Sequence, residues 1–288
     1  MHVAVLGAGT MGNGIAHTAA VAGHDVTIRD IDESILADAL ETIESNLEGG
    51  VERDKLSADA AEAALDRIET SMDIADIAGA DLVIEAVPED IDIKEEVLTA
   101  AEAQVDADAL IASNTSSISL TSIAALLDNP ERVLGLHYFN PAHIMPLVEI
   151  VVAEQTAEEA VSAAEEYVAD IGKTPIVVQD YPGFASSRLG VALGTEAMRM
   201  VEQGVASPAD IDTAMELGYN HPMGPLELTD LVGLDVRLDV LEYLREELGE
   251  RFQPPQILKR KVRAGKLGQK SGEGFYVWED GAPVKPDE

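Results

Sequence analysis

A histidine at the end of an apolar run, followed twelve residues later by a glutamate, is a pair that can move a proton. His137 stands in Gly135-Leu-His137-Tyr-Phe-Asn140-Pro141, and Glu149 in Pro146-Leu-Val-Glu149-Ile150. Imidazole titrates near neutrality, so His137 can take a proton from a secondary alcohol as hydride leaves the same carbon. A carboxylate partner would fix the ring tautomer and stabilise the imidazolium as it forms. A lone histidine at a strand end can equally be structural. On residue type alone, His17, His24, His143 and His221 have as good a claim.

The second chemical signal is Gly7-Ala-Gly9-Thr10-Met11-Gly12. In such a turn the first glycine permits the tight bend. The second lets the backbone approach a pyrophosphate, and the third allows close helix–strand packing. The diphosphate would sit on the unpaired N–H groups that open the following helix. Asp30 follows where a second strand should end, placed to accept both ribose hydroxyls. Its carboxylate would repel a 2′-phosphate, so NAD is expected rather than NADP. Arg29 could accommodate that phosphate, but strand alternation turns neighbours to opposite faces. A glycine turn without a ligand is the plain alternative.

These groups need a frame. Residues 2–6 read as a buried parallel strand, 11–22 as a small-residue helix ended by Gly23, and 25–29 as a second strand. Asp32 caps a helix over about 33–47. Strand signals recur at 81–86, 109–112, 133–137, 147–151 and 175–178, the earlier ones separated by Ala/Glu-rich stretches of helical spacing. The alternation predicts an α/β fold: an N-terminal Rossmann-type doubly wound, mostly parallel sheet with helices on both faces. Beyond Asp180-Tyr-Pro-Gly183, residues 184–202, 208–216, 226–248 and 254–264 read as helices separated by Gly or Pro. The expected domains are therefore 1–181, binding NAD, and 182–288, all helical.

Composition excludes several classes. There are 54 acidic and 19 basic residues, a net charge of −35, which repels nucleic acid and anionic lipid. Without cysteine there is no disulfide, thiolate zinc site or cysteine nucleophile, and no metal is expected. No basic, then apolar leader opens the chain, and no apolar run is long enough to span a membrane, so a cytoplasmic protein is expected. Self-repulsion at this charge is tolerable where salt screens it, which favours the salt-rich cytoplasm of a halophilic archaeon over an ordinary acidic enzyme.

The chain resembles the short-chain L-3-hydroxyacyl-CoA dehydrogenases, close to the bacterial and archaeal 3-hydroxybutyryl-CoA dehydrogenases of fatty-acid β-oxidation. The resemblance rests on GAGTMG at 7–12, SNTSS at 113–117, GLHYFNPAHIMPLVEI at 135–150 and PGF…RL at 182–189. HPMGPLELTDLVGLD at 221–235 and LGQKSGEGFY at 267–276 complete it, so it covers nearly the whole chain. It implies hydride transfer between NAD and a 3-hydroxyacyl-CoA, with His137 as acid/base and Glu149 orienting it. Ser116 would bond the substrate's 3-oxygen, and Glu89, Lys94, Asn140 and Lys270 would line the NAD site. Asn46 and Arg53 match CoA contacts. Relatives also imply a homodimer through the C-terminal domain.

One departure stands out. Relatives commonly carry Asn-Arg after Pro-Gly-Phe, whereas this chain has Ser186-Ser187-Arg188. Ser187 occupies the place of an asparagine that assists substrate binding, and a hydroxyl is shorter with fewer hydrogen-bonding sites. For Lys94 and Arg53 a solvated helix charge is the alternative, and for Ser113, Thr115 and Ser117 a turn or cap. Lys259, Arg260, Lys261, Arg263, Lys266 and Lys270 gather six of the 19 cations into twelve residues. They would meet either anions or local acids. A related dehydrogenase acting on a sugar acid or hydroxy acid without CoA is the competing function, and a non-catalytic binding protein the more distant one.

Overall fold

A computed structural model describes residues 1–284 and divides the chain into two compact units, Met1–Tyr181 and Pro182–Glu288. The first is built on one eight-stranded sheet in the order β3-β2-β1-β4-β5-β6-β7-β8. Its strands are β1 (His2–Leu6), β2 (Asp25–Arg29), β3 (Ile68–Ser71), β4 (Leu82–Glu85), β5 (Leu110–Ser113), β6 (Val133–Tyr138), β7 (Leu147–Val152) and β8 (Thr174–Gln179). β1 through β6 run parallel, β7 is antiparallel to β6, and β8 is parallel to β7. The sheet is therefore mostly parallel, as expected. Its strands are apolar because both faces are covered: Val3, Ala4, Val5 and Leu6 are all fully buried.

Three crossover helices matter for the site. α1 (Thr10–Val21) follows β1, α2 (Glu33–Glu52) follows β2 and packs on α3 (Ala58–Leu65), and α4 (Ile91–Glu102) follows β4. Right-handed crossovers put α1 and α4 on opposite faces, because the strand order reverses between β1 and β4. That reversal opens a crevice at the carboxyl ends of β1 and β4, where open α/β sheets take ligands. Asp32 caps α2 as expected, accepting from Ser34 N at 2.8 Å. α2 runs one turn longer than its periodicity suggests. β3 went unread, because only its ends are partly covered and it shows no apolar run. Two further helices, α5 (Leu120–Ala124) and α6 (Glu158–Asp170), complete the unit.

The second unit contains α7 (Ser186–Glu202), α8 (Pro208–Tyr219), α9 (Pro225–Val232), α10 (Leu234–Leu248), α11 (Gln256–Arg263) and a hairpin, β9 (Val277–Glu279) with β10 (Ala282–Val284). Residues 226–248 are not one helix. Gly233 adopts φ +107° and separates α9 from α10. The hairpin is likewise an addition to the helical reading. Two buried aspartates tie the unit together. Asp212 accepts from Leu226 N and Glu227 N at the start of α9 and from the Tyr276 hydroxyl. Asp230 accepts from Phe275 N, Tyr276 N and Trp278 Nε1, fixing the segment before the hairpin. Among the described residues no helix is long and apolar enough to cross a membrane.

Candidate active site

β6 and β7 are paired in a register that sets His137 directly opposite Glu149. Directly opposed residues in an antiparallel pair share a face, so their side chains meet. Nδ1 of His137 lies 2.8 Å from Oε2 of Glu149, with the ring 6% exposed and the carboxylate fully buried. A carboxylate can only accept, so Nδ1 donates the ring proton to Glu149. The Phe139 ring packs against the imidazole at 4.6 Å between centroids. None of the other histidines has this arrangement: His24 meets an exposed Asp170 at 3.3 Å, and His17 and His143 face each other.

The glycine turn lies at the crevice. Gly7 takes φ +99°, and a Cβ there would sit 2.7 Å from the Ala86 carbonyl oxygen after β4. At Gly12 a Cβ would fall on the Gly7 carbonyl, so helix and turn approach as closely as glycine permits. Gly9 differs: a Cβ would meet nothing within 4 Å, so its surface is open to a ligand. Gly9 is the N-cap of α1 and offers no side-chain cap, and no acidic residue lies in the first turn, leaving the N–H groups at Thr10 and Met11 to an incoming anion. Asp30 is half-buried beyond β2. Its two oxygens accept from Ala8 N and Ile31 N, each at 2.7 Å, and keep lone pairs for ribose hydroxyls. Arg29 Nε donates to the Met72 carbonyl at 3.3 Å instead of waiting beside Asp30. An open glycine surface, an uncapped helix start and a held carboxylate together fit a dinucleotide diphosphate and its ribose.

A third group lies at the ends of β4 and β5. Lys94 is 1% exposed, so it is not a solvated helix charge. Its ammonium reaches Glu85 at 2.7 and 2.9 Å and Glu89 at 3.2 Å. Glu85 is fully buried and also accepts from Ser113 Oγ at 2.5 Å and Val87 N at 2.8 Å. One oxygen of Glu89 accepts from Thr115 Oγ1, Ser116 N, Ser117 N and Ser117 Oγ within 2.6–3.0 Å. Burial pushes the Glu89 carboxyl up, but the Lys94 ammonium and these hydrogen bonds outweigh it and hold it below the usual range. The result is a preorganised SNTSS loop whose Ser116 side chain is exposed. Thr115 also accepts from Ile118 N, so its turn role and its link to Glu89 coexist. Glu85 escaped sequence reading, although an acidic residue closing the apolar run Leu82-Val-Ile-Glu85 was its signal.

The remaining candidates are dispersed. Asn140 is exposed in the loop joining β6 to β7, Asn46 is half-buried on α2, and the Arg53 guanidinium lies over Gly49 at the end of α2. Ser187 and Lys270 belong to the second unit, Ser187 in the first turn of α7 and Lys270 paired with Asp235 at 2.6 Å. Half of the basic cluster meets local acids, Lys259 on Glu242, Lys266 on Glu273 and Lys270 on Asp235. Among the described residues no group of three His, Asp or Glu side chains could hold a metal.

Residues 2–181 match the 3-hydroxyacyl-CoA dehydrogenase NAD binding domain, and residues 183–278 match the C-terminal domain of the same family. A probable 3-hydroxybutyryl-CoA dehydrogenase of Deinococcus radiodurans is 42% identical over 96% of this chain and 100% of its own length. The crystal structure of (S)-3-hydroxybutyryl-CoA dehydrogenase from Ralstonia eutropha superposes with a TM-score of 0.93 at 40% identity, covering 97% of this chain and 99% of that one. The 3-hydroxyadipyl-CoA dehydrogenase of Escherichia coli is 43% identical over 96% of this chain and 58% of its own.

Proposed function

The chain belongs to the 3-hydroxyacyl-CoA dehydrogenase family, and from that membership we propose that 3-hydroxybutyryl-CoA is its substrate and His137 its acid/base. It is an oxidoreductase that moves a hydride between NAD and a 3-hydroxyacyl-CoA. NAD, when bound, supplies the hydride acceptor; Gly7, Gly9, Thr10, Met11, Gly12 and Asp30 would hold it, with Glu89, Lys94, Asn140 and Lys270 lining its site. Nε2 of His137 takes the 3-hydroxyl proton in oxidation and returns it in reduction. Glu149 keeps Nδ1 protonated and balances the imidazolium. Ser116, on the loop braced by Glu89, donates to the 3-oxygen, and Ser187 replaces the asparagine expected beside the substrate. Asn46 and Arg53 contact CoA.

The observation that carries this reading is the buried 2.8 Å pair of His137 and Glu149. His137→Gln tests it: NADH binding should persist while reduction of 3-oxobutyryl-CoA falls by about 10²–10⁴. Near wild-type turnover would remove His137 from the chemistry. Activity on free hydroxy acids but not on CoA thioesters would favour the sugar-acid or hydroxy-acid alternative.

Two further readings concern the whole particle. Leu189, Val205, Leu217 and Tyr219 of the second unit are 72, 58, 83 and 75% exposed, which supports a homodimer through that unit. A monomeric mass by light scattering in molar salt would refute it. The charge of −35 supports a halophilic archaeal origin and a salt-rich cytoplasm. At 1 M salt the Debye length is about 3 Å, and self-repulsion is largely screened. Full activity and an unchanged Tm after dialysis to low salt would defeat that reading.

A further inference from the structure

In a chain with 54 acids and 19 bases, a buried lysine without an acidic partner calls for a physical reason. Lys173, in the turn between α6 and β8, is 9% exposed. Its Nζ donates to the Met145 carbonyl at 2.7 Å, and among the described residues it has no ion pair and no other hydrogen bond. An ammonium carries three donors, and a buried cation without counter-charge is strongly unfavourable. Beside it His17 of α1 and His143 of the β6–β7 loop face each other, with ring centroids 5.1 Å apart. Nδ1 of His17 is sealed from solvent and has no hydrogen-bond partner.

These three side chains line one cavity of about 340 Å³ in the first unit. Asp170 is the one carboxylate in its wall; it is mostly exposed and turned toward His24. Burial, then His143 and Lys173, take His17 down to about 4, while burial, then Lys173 and Arg53, hold His143 below its ordinary value. Both rings are therefore neutral near neutrality, each with one donor and one acceptor, and both feel the Lys173 charge. A cation would be repelled by that ammonium. A phosphate suits the cavity better: its oxygens can accept from Nζ and from both imidazole N–H groups. Its second ionisation, near pH 6, also lets it share a proton with a ring nitrogen.

We propose that His17, His143 and Lys173 form a phosphate-binding subsite that takes the 3′-phosphate of the substrate's CoA. This assignment rests on the reading of the substrate as a CoA thioester, and it draws on Arg53, whose charge bears on His143. The subsite uses three segments distant in sequence: α1, the β6–β7 loop and the turn before β8.

The test compares wild type with Lys173→Met and His17→Gln by thermal unfolding at constant ionic strength. The probes are chloride alone, inorganic phosphate and adenosine 3′,5′-bisphosphate. Wild type should gain Tm with both phosphates. Lys173→Met should melt higher than wild type in chloride, because the unpaired ammonium is gone, and should show no phosphate shift. His17→Gln should show a reduced one. Equal phosphate shifts in all three proteins would mean adventitious binding only and would overturn the subsite. The second arm measures kcat/KM for 3-oxobutyryl-CoA relative to 3-oxobutyryl-pantetheine. The ratio should fall about tenfold or more in Lys173→Met, as expected for one charge-assisted hydrogen bond. An unchanged ratio with the phosphate shift lost would overturn CoA as the source and leave free phosphate. Absence of turnover of either thioester by wild type would refute the substrate reading, while the unfolding arm still decides the subsite.

Discussion

Replacing Glu149 with glutamine changes one charge in a place solvent does not reach, at almost constant volume. The carboxylate is fully buried and its Oε2 is 2.8 Å from Nδ1 of His137. In wild type it can only accept, so it draws the ring proton to Nδ1. Glutamine can present either its oxygen or its NH₂ group to the ring. When NH₂ faces Nδ1 the proton moves to Nε2, the atom that must act as base. In the remaining molecules the tautomer is right but the imidazolium has no counter-charge. A hydrogen bond to a charged group contributes about 1.5–3 kcal/mol, or roughly 10- to 150-fold. With the tautomer loss added, kcat should fall by about 10²–10⁴, the range for removing acid–base function. The assay is steady-state NADH oxidation with 3-oxobutyryl-CoA, alongside NADH affinity by fluorescence titration. Affinity should be unchanged, because neither His137 nor Glu149 is among the residues proposed to hold the cofactor. Wild-type kcat, or NADH affinity falling in step with kcat, would refute the reasoning.

Gly9→Ala should leave stability within about 0.5 kcal/mol, since its Cβ meets no protein atom, yet weaken NADH binding. Gly12→Ala should lose both, because its Cβ falls on the Gly7 carbonyl, and chemical denaturation beside NADH titration separates the two cases. Lys94→Met leaves Glu85 and Glu89 without their cation and should destabilise the first unit by about 3–5 kcal/mol, read from denaturant midpoints. Glu89 has its folded pKa depressed below the ordinary 4.5, so its stabilising contribution is complete above that value and is lost as pH falls through the folded pKa. The stability gap between wild type and Glu89→Gln should therefore narrow on acidification below about pH 4.5. A gap constant from pH 6 to pH 3 would contradict the assignment.

Local patterns alone determined the Rossmann-type reading. The glycine turn after an apolar strand and Asp30 one strand later are short-range features, set by backbone sterics and strand alternation, so a single sequence displays them. The helical reading of the second unit was legible for the same reason, apart from the β9–β10 hairpin and the break at Gly233, where an unbroken apolar periodicity hides a positive φ. The pairing of His137 with Glu149 was implied by family resemblance, but its geometry was not, because it depends on the antiparallel register of β6 and β7. A shift of one residue would have turned one side chain to the opposite face. Glu85, Lys94 and Ser113 converge from β4, α4 and β5, and nothing in their spacing says that Lys94 is buried rather than solvated. His17, His143 and Lys173 looked unconnected along the chain. Their cavity exists because α1, the β6–β7 loop and the turn before β8 pack together, and packing between distant segments is what only the tertiary structure decides.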